Sequence, residues 1–293
     1  MQPVVSPIFE AEVLNEHVNA IAGDKPIAAF DLKALNNILG GVFPGQNYAI
    51  CTRPSVGKTT LALQEADKLA RDGHTVIFVS AELPQHKLLA KSLTRLSEGE
   101  LTLSTVADAA SPEHQKHNHF KNALEKYREE IAPNLCITGP LTVTDLGCLA
   151  GSCIRERGQV PILFIDYLQL LACGSAAEPF MDERLAIASC VKGLRDISNC
   201  YGCPIIALSS ITRTAYSTKK PDLSMFGGSS AIEYGFDAAL YLTEDDEKTE
   251  FPFDFPGDKE KRLKLVALKN RYGILRTTKL EFDGAFATFR DRN

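Results

Sequence analysis

The octapeptide Arg53-Pro54-Ser55-Val56-Gly57-Lys58-Thr59-Thr60 stands where a β-forming run, NYAICT, gives way to a helix-forming one. A loop of this kind at a helix start wraps phosphate oxygens with successive backbone N–H groups. Lys58 is placed to reach the β- and γ-phosphates and the Thr59 hydroxyl to ligate Mg²⁺, so residues 53–60 form a candidate phosphate-binding loop for a nucleotide such as ATP. Thr52 occupies the place where such loops carry their first glycine.

Two carboxylates extend the pattern. Asp166 ends the uninterrupted apolar run PILFI, typical of a strand buried on both faces, and from there a carboxylate can hold the metal shell opposite Thr59. Glu82 ends TVIFVSAE, on a strand expected beside the loop-bearing strand, where it can polarise the water that attacks the γ-phosphate. The plainer reading of Glu82 is a solvated carboxylate ahead of Pro84. Asp166 together with a phosphate loop favours the catalytic one. Lys269 and Arg271, spaced i and i+2 near the C-terminus, belong on one face of a strand, either as a solvated basic face or as a two-pronged contact to a phosphate.

These residues need a scaffold that alternates strand and helix. The expected strands are residues 47–52, 75–80, 134–138, 161–165, 204–209 and 238–243, with a C-terminal pair around 264–269 and 277–282. Helices are expected at 58–72, 144–158 and 182–201, and a charged helical stretch at 84–132 broken near Ser111-Pro112. Polar loops are expected at 212–230 and 244–258. The pattern predicts an α/β fold with a doubly wound, mostly parallel sheet and antiparallel strands at its C-terminal edge. Residues 1–24 read as an amphipathic arm or linker helix, and residues 25–293 as the single large domain.

The chain has 293 residues, 44% hydrophobic and 24% charged, with eight cysteines and a net charge of −5. That composition excludes a disordered, fibrous or disulfide-scaffolded protein. The absence of a long apolar run or a signal-peptide pattern predicts a cytoplasmic protein without a membrane partner. Ten basic and five acidic residues lie between Asp258 and the end, so the first 257 residues carry −10. The overall acidity argues against a protein that coats nucleic acid non-specifically, while leaving room for a ring or groove with a positive lining.

Taken together, residues 25–290 resemble the ATPase domain of the DnaB-type replicative helicases. The most specific element is Asp166-Tyr167-Leu168-Gln169-Leu170. It is supported in order by Leu39-Gly40-Gly41 with Pro44-Gly45, the run at 53–59, Ser80-Ala81-Glu82-Leu83-Pro84, Ala207-Leu208-Ser209-Ser210, Ala231-Ile232-Glu233 with Asp237, and Leu268 to Gly273. The resemblance implies a RecA-like P-loop NTPase that assembles into a hexameric ring, moves on single-stranded DNA and uses ATP with Mg²⁺. It implies that each ATP site is completed by the neighbouring subunit, with Arg271 as an arginine finger and Lys269 as its companion. A primase, a loader or another replication protein is the kind of partner it suggests.

Three departures qualify that resemblance. Ser210 replaces a Gln that the family uses to couple nucleotide to DNA. The DNA-contacting loop reads Phe226-Gly227-Gly228-Ser229-Ser230, without its usual charges, leaving main-chain N–H groups and the Ser229 and Ser230 hydroxyls to hold phosphates, aided by Arg213, Lys219 and Lys220. The N-terminal collar domain has no counterpart in these residues, as in a compact version from a phage or mobile element, or in a fragment. Ser210 and the altered loop at 226–230 favour an alternative in which a RecA-fold ring serves as a nucleotide-gated scaffold or loader, in the manner of KaiC- or RadA-like proteins. Cys200 with Cys203, and His114, His117 and His119, have metal-like spacing but read as packing and turn residues.

Overall fold

The computed structural model describes residues 23–174, 182–211, 221–226, 229–245 and 260–292, together with Leu14 and Val18. The arm helix expected over residues 1–24 falls almost wholly outside them, as do Arg213, Gly227 and Gly228.

In chain order the elements are α1 (Lys33–Leu39), β1 (Asn47–Thr52), α2 (Lys58–Arg71), β2 (Val76–Ser80), α3 (Gln85–Leu96), α4 (Val106–Ala109), α5 (His117–Lys126) with a π turn at Tyr127–Ile131, and β3 (Leu135–Thr138). There follow α6 (Val143–Arg157), β4 (Ile162–Asp166), α7 (Leu168–Gly174), α8 (Glu183–Tyr201), β5 (Ile205–Ser210), α9 (Ser229–Gly235), β6 (Ala238–Glu244), β7 (Lys261–Asn270), β8 (Thr277–Asp283) and β9 (Thr288–Arg292). The nine strands among the described residues form one sheet in the order β3-β2-β4-β5-β1-β6-β7-β8-β9. It is parallel from β3 to β6 and antiparallel from β6 to β9.

The alternation of a pleated strand distributes each central strand between two cores. Tyr48 and Ile50 of β1, with Ile206 and Leu208 of β5, pack on one face under α1 and α2. Ala49, Cys51, Ile205 and Ala207 face the other layer, built from α6, α7, α8 and α9. A small satellite cluster around Leu93, Leu101 and Val106 holds α3, α4 and α5 together, which accounts for the charged helical stretch between β2 and β3.

The sheet order corrects one expectation. β2, which leads to Glu82, is separated from β1 by β4 and β5. The crossover through α2 passes over those two strands, so neighbours in sequence are not neighbours in the sheet. The polar stretch expected to reach Ser230 is also shorter than predicted: it contains a 3₁₀ turn at Leu223–Met225, is pinned by a bridge between Ile211 and the buried Phe226, and gives way to α9 at Ser229.

Glu65, on the buried face of α2, accepts the backbone N–H groups of Asp31 (2.6 Å) and Leu32 (3.2 Å) and so fixes the chain leading into α1. Burial, and then the Asp31 carboxylate, push its pKa from 4.5 to about 8 against the pull of those N–H groups. Between those two values the folded state holds the proton and the unfolded state does not, so stability falls as pH rises through that window. Glu65→Gln is expected to flatten that fall. Urea midpoints of the two proteins from pH 4 to pH 9 check it.

Candidate active site

The carboxyl ends of β1, β2, β4 and β5 surround a cleft of about 710 Å³, the position at which open α/β sheets present their ligands. Seven of the eight residues 53–60 line it, and Val56 is buried in the core beneath. Gly57 is required in two ways. Its φ of +110° suits glycine, and a Cβ there would lie 2.9 Å from Phe289 and 3.1 Å from Phe282, which stack on each other at 4.4 Å. The loop is thereby seated on the antiparallel end of the sheet. Thr52 is the last residue of β1, paired with Ser210 and Leu242 in strand geometry, so that position makes no demand for glycine.

Lys58 opens α2 with its Nζ 4.0 Å from Asp166 Oδ1 and 4.4 Å from the centre of the Tyr167 ring. Burial draws its ammonium pKa below the ordinary lysine value, and Asp166 and Glu82 pull it back up. Asp166 ends β4, 0% exposed under the cleft floor, and neither carboxylate oxygen has a hydrogen-bond partner within bonding distance. Burial raises its pKa, and first Lys58 and then the Thr59 hydroxyl lower it. A buried carboxylate with open lone pairs beside a hydroxyl is a hard-oxygen donor set that fits Mg²⁺.

Glu82 also lines the cleft although β2 is two strands away from β1. The pairing of Ser80 with Asp166 in adjacent β2 and β4 brings the two carboxylate-bearing segments side by side. The Ser80 hydroxyl accepts from the Leu83 N–H (3.3 Å) and donates to the Leu83 carbonyl (2.6 Å), closing the bend that carries Glu82. The Ala81 N–H binds the Asp166 carbonyl at 2.7 Å.

Several cleft residues carried no readable signal in the sequence. Lys91 of α3 donates to Thr60 Oγ1 at 3.0 Å, and Lys261 at the start of β7 reaches the Ser55 carbonyl at 3.4 Å. A lone lysine in a charged helix or on a basic strand reads as a solvated face. Gln169 did have a signal, the DYLQL run itself. Its amide donates to Ser209 Oγ at 2.8 Å and accepts from the Ser210 N–H at 3.3 Å, bracing the place where Ser210 lines the cleft.

Lys269 and Arg271 lie elsewhere. They sit at the end of β7 beside Asp237, whose N–H bonds the Asn47 carbonyl at 2.7 Å, at the end of β1 opposite the phosphate loop. Lys269 Nζ donates to the carbonyls of Phe236 (2.6 Å) and Glu233 at the end of α9. Arg271 Nη1 donates to Asp237 Oδ1 at 2.9 Å. The two side chains thus share one locality, outside the cleft of their own chain. Of the residues expected to contact DNA, Ser229 and Ser230 begin α9 and Ser230 is exposed.

The metal-like spacings resolve into ordinary contacts. Cys203 is buried and its thiol is pushed up to about 12, Cys200 is exposed, and both are free. His117 Nδ1 lies 3.1 Å from the Ala109 carbonyl and His114 Nδ1 accepts the Lys116 N–H. Among the described residues no group of three or more His, Cys, Asp or Glu side chains is placed to hold a metal ion, and no helix is long and apolar enough to cross a membrane.

Comparison with known proteins agrees with this geometry. The chain is 30% identical over 273 residues to the replicative DNA helicase DnaB of Treponema pallidum, covering 89% of this chain and 55% of that one. It is 28% identical over 262 residues to the DnaB of Pasteurella multocida, covering 87% and 53%, and 28% identical over 255 residues to a probable plasmid replicative DNA helicase of Chlamydia psittaci, covering 84% and 51%. The chain therefore spans about half the length of these relatives. Among solved structures it superposes on the ATPase domain of G40P with a TM-score of 0.81 at 20% identity, over 99% of this chain and 100% of that one. A DnaB-like replicative helicase described with its interactions with primase gives 0.80 at 20% identity, over 99% and 68%. A KaiC-like protein of Pyrococcus horikoshii gives 0.61 at 15%, over 92% and 100%. The fold is thus the RecA-like one of those ATPase domains. The profile of the DnaB-like helicase C terminal domain matches residues 29–291, a span that takes in the phosphate loop, Glu82, Asp166 and Arg271, and the chain belongs to that family.

Proposed function

We propose that this chain is the motor domain of an ATP-dependent replicative DNA helicase, a cytoplasmic ring, hexameric by family resemblance, that hydrolyses ATP at its subunit interfaces while moving on single-stranded DNA. The observation that carries the reading is the division of phosphate-directed groups between two ends of β1. Lys58, Thr59, Glu82 and Asp166 meet at one end, while Lys269 and Arg271 stand at the other, a six-residue strand or roughly 20 Å away. Such a set converges on one nucleotide when a second copy of the chain supplies the missing pair.

In this mechanism the N–H groups of the loop's non-proline residues and the Lys58 ammonium bind the phosphates, with Arg53, Pro54 and Ser55 shaping the rim. Thr59 Oγ1 and Asp166 would hold Mg²⁺, which would supply charge neutralisation to the nucleotide's phosphates. Glu82 accepts a proton from the attacking water. Lys269 and Arg271 of the adjacent subunit offset the charge that develops on the γ-phosphate. The single strand is held through the main chain of Gly227 and Gly228, the Ser229 and Ser230 hydroxyls, and Arg213, where the family loop has charged side chains. A primase, a loader or another replication protein is the accompanying partner; the similar DnaB-like helicase structure is described with its interactions with primase.

Three measurements test this reading. ATP turnover is expected to rise with single-stranded DNA and to accompany strand displacement; turnover indifferent to DNA would replace the motor with a nucleotide-gated scaffold. Glu82→Gln should bind ATP as the wild type does while losing hydrolysis by about a hundredfold or more, as removal of a general base does; full turnover would take Glu82 out of the mechanism. Mixtures of Arg271→Ala and Lys58→Ala subunits should recover turnover that neither shows alone. Recovery arises at each junction where the intact loop of one variant meets the intact Arg271 of the other, and its absence would argue against a composite site.

A further inference from the structure

Asp237 stands between α9 and β6 and its side chain is only 2% exposed, yet it is bonded on every side. Oδ2 accepts the Asn47 N–H at 2.9 Å and Arg195 Nη1 at 2.6 Å, and Oδ1 accepts Arg195 Nη2 at 3.1 Å and Arg271 Nη1 at 2.9 Å. The Arg271 N–H also binds the Asp237 carbonyl at 2.8 Å. Arg195 on α8 therefore grips the carboxylate with both arms of its fork. Arg271 touches it through one nitrogen, and its side chain is 41% exposed.

The two arginines consequently do different things. One buried carboxylate needs one countercharge, and the bidentate Arg195 supplies it. Arg271 is then a surplus cation, held at one edge and open at the other, which a phosphate can approach. Were Arg195 absent, Asp237 would cancel the charge that Arg271 carries outward.

We propose that Asp237 is a positioning residue that aims Arg271 at the nucleotide of a neighbouring copy, and that Arg195 keeps Arg271 electrostatically available by neutralising Asp237. This rests on the reading of Arg271 as a trans-acting finger. It adds two residues on different elements, neither of them lining the cleft.

The test is steady-state ATP hydrolysis by the full chain, with thermal unfolding recorded for every variant. Arg271→Ala should reduce kcat by about a thousandfold, the scale of an arginine finger. Arg195→Gln should lower kcat by about tenfold with KM unchanged, comparable to losing one charge-assisted hydrogen bond. Arg195→Lys, which returns a cation to Asp237, should restore most of it. The double variant Arg195→Gln/Asp237→Asn should be faster than Arg195→Gln alone, because removing the carboxylate's charge frees Arg271 again. A structural role alone would make the second substitution additive and harmful. Wild-type kcat in a folded Arg195→Gln protein, or no recovery in a folded double variant, would overturn the proposal and leave the finger standing. Wild-type turnover in Arg271→Ala would remove the finger, and the proposal with it.

Discussion

The opposition of Lys58 and Asp166 across the carboxyl ends of β1 and β4 is the constraint around which this molecule is organised. A carboxylate with no exposed surface and no hydrogen bond to either oxygen is an expensive feature, and a partly desolvated ammonium 4.0 Å away offsets only part of that cost. Such a pair persists only where the backbone around it is overdetermined. Here β4 is buried along its whole length, β5 and then β1 lie beside it in parallel register, and the phosphate loop is packed from below by Phe282 and Phe289. The stability of the layered fold holds in place a site that is itself unfavourable without its ligands.

That dependence explains which parts of the structure were readable in advance. A strand buried on both faces must be continuously apolar, so PILFI and its neighbours showed themselves without reference to tertiary context. The phosphate loop announced itself because its residue types are dictated by local backbone geometry. Pairings across the sheet were less accessible. Glu82 lines the cleft without strand adjacency to β1: it gets there through the β2–β4 pairing and a bend closed by Ser80, with two strands between β2 and β1. The short helices α1, α7 and α9 carry no readable signal because seven residues make only about two turns, and the edge strand β9 carries none because TFRDR has a single apolar residue. Arg195 and Lys91 were invisible for another reason. An isolated cation on a helix acquires its meaning from what it meets after folding.

Departures from the expected residue types, in the phosphate loop and in the family pattern, divide along the same line. Thr52 in place of glycine is harmless because the strand continues through that position, and the positive φ values of the loop fall at Ser55 and Gly57. Ser210 is a different matter. It lines the cleft but is short, and the Gln169 side chain, rooted at the start of α7, reaches over to hold both Ser209 and the Ser210 backbone. A glutamine is therefore present at this junction, contributed from the neighbouring strand's end rather than from β5 itself.

β1 is the element through which both halves of the chemistry are referenced. Its carboxyl end runs into the phosphate loop, while its first residue, Asn47, accepts the Asp237 backbone N–H at its carbonyl and donates its own N–H to the carboxylate that holds Arg271. A central strand paired on both sides and buried throughout is the stiffest element available in such a sheet, so the distance between the two ends is fixed. In the ring proposed above, that fixed length would set where one subunit's Arg271 stands relative to its own phosphate loop. In such a ring a change at one nucleotide would not be absorbed by stretching the strand and would appear as movement of the whole domain against its neighbour. On that proposal, coupling between neighbouring nucleotide sites would rest on the rigidity of the six residues of β1.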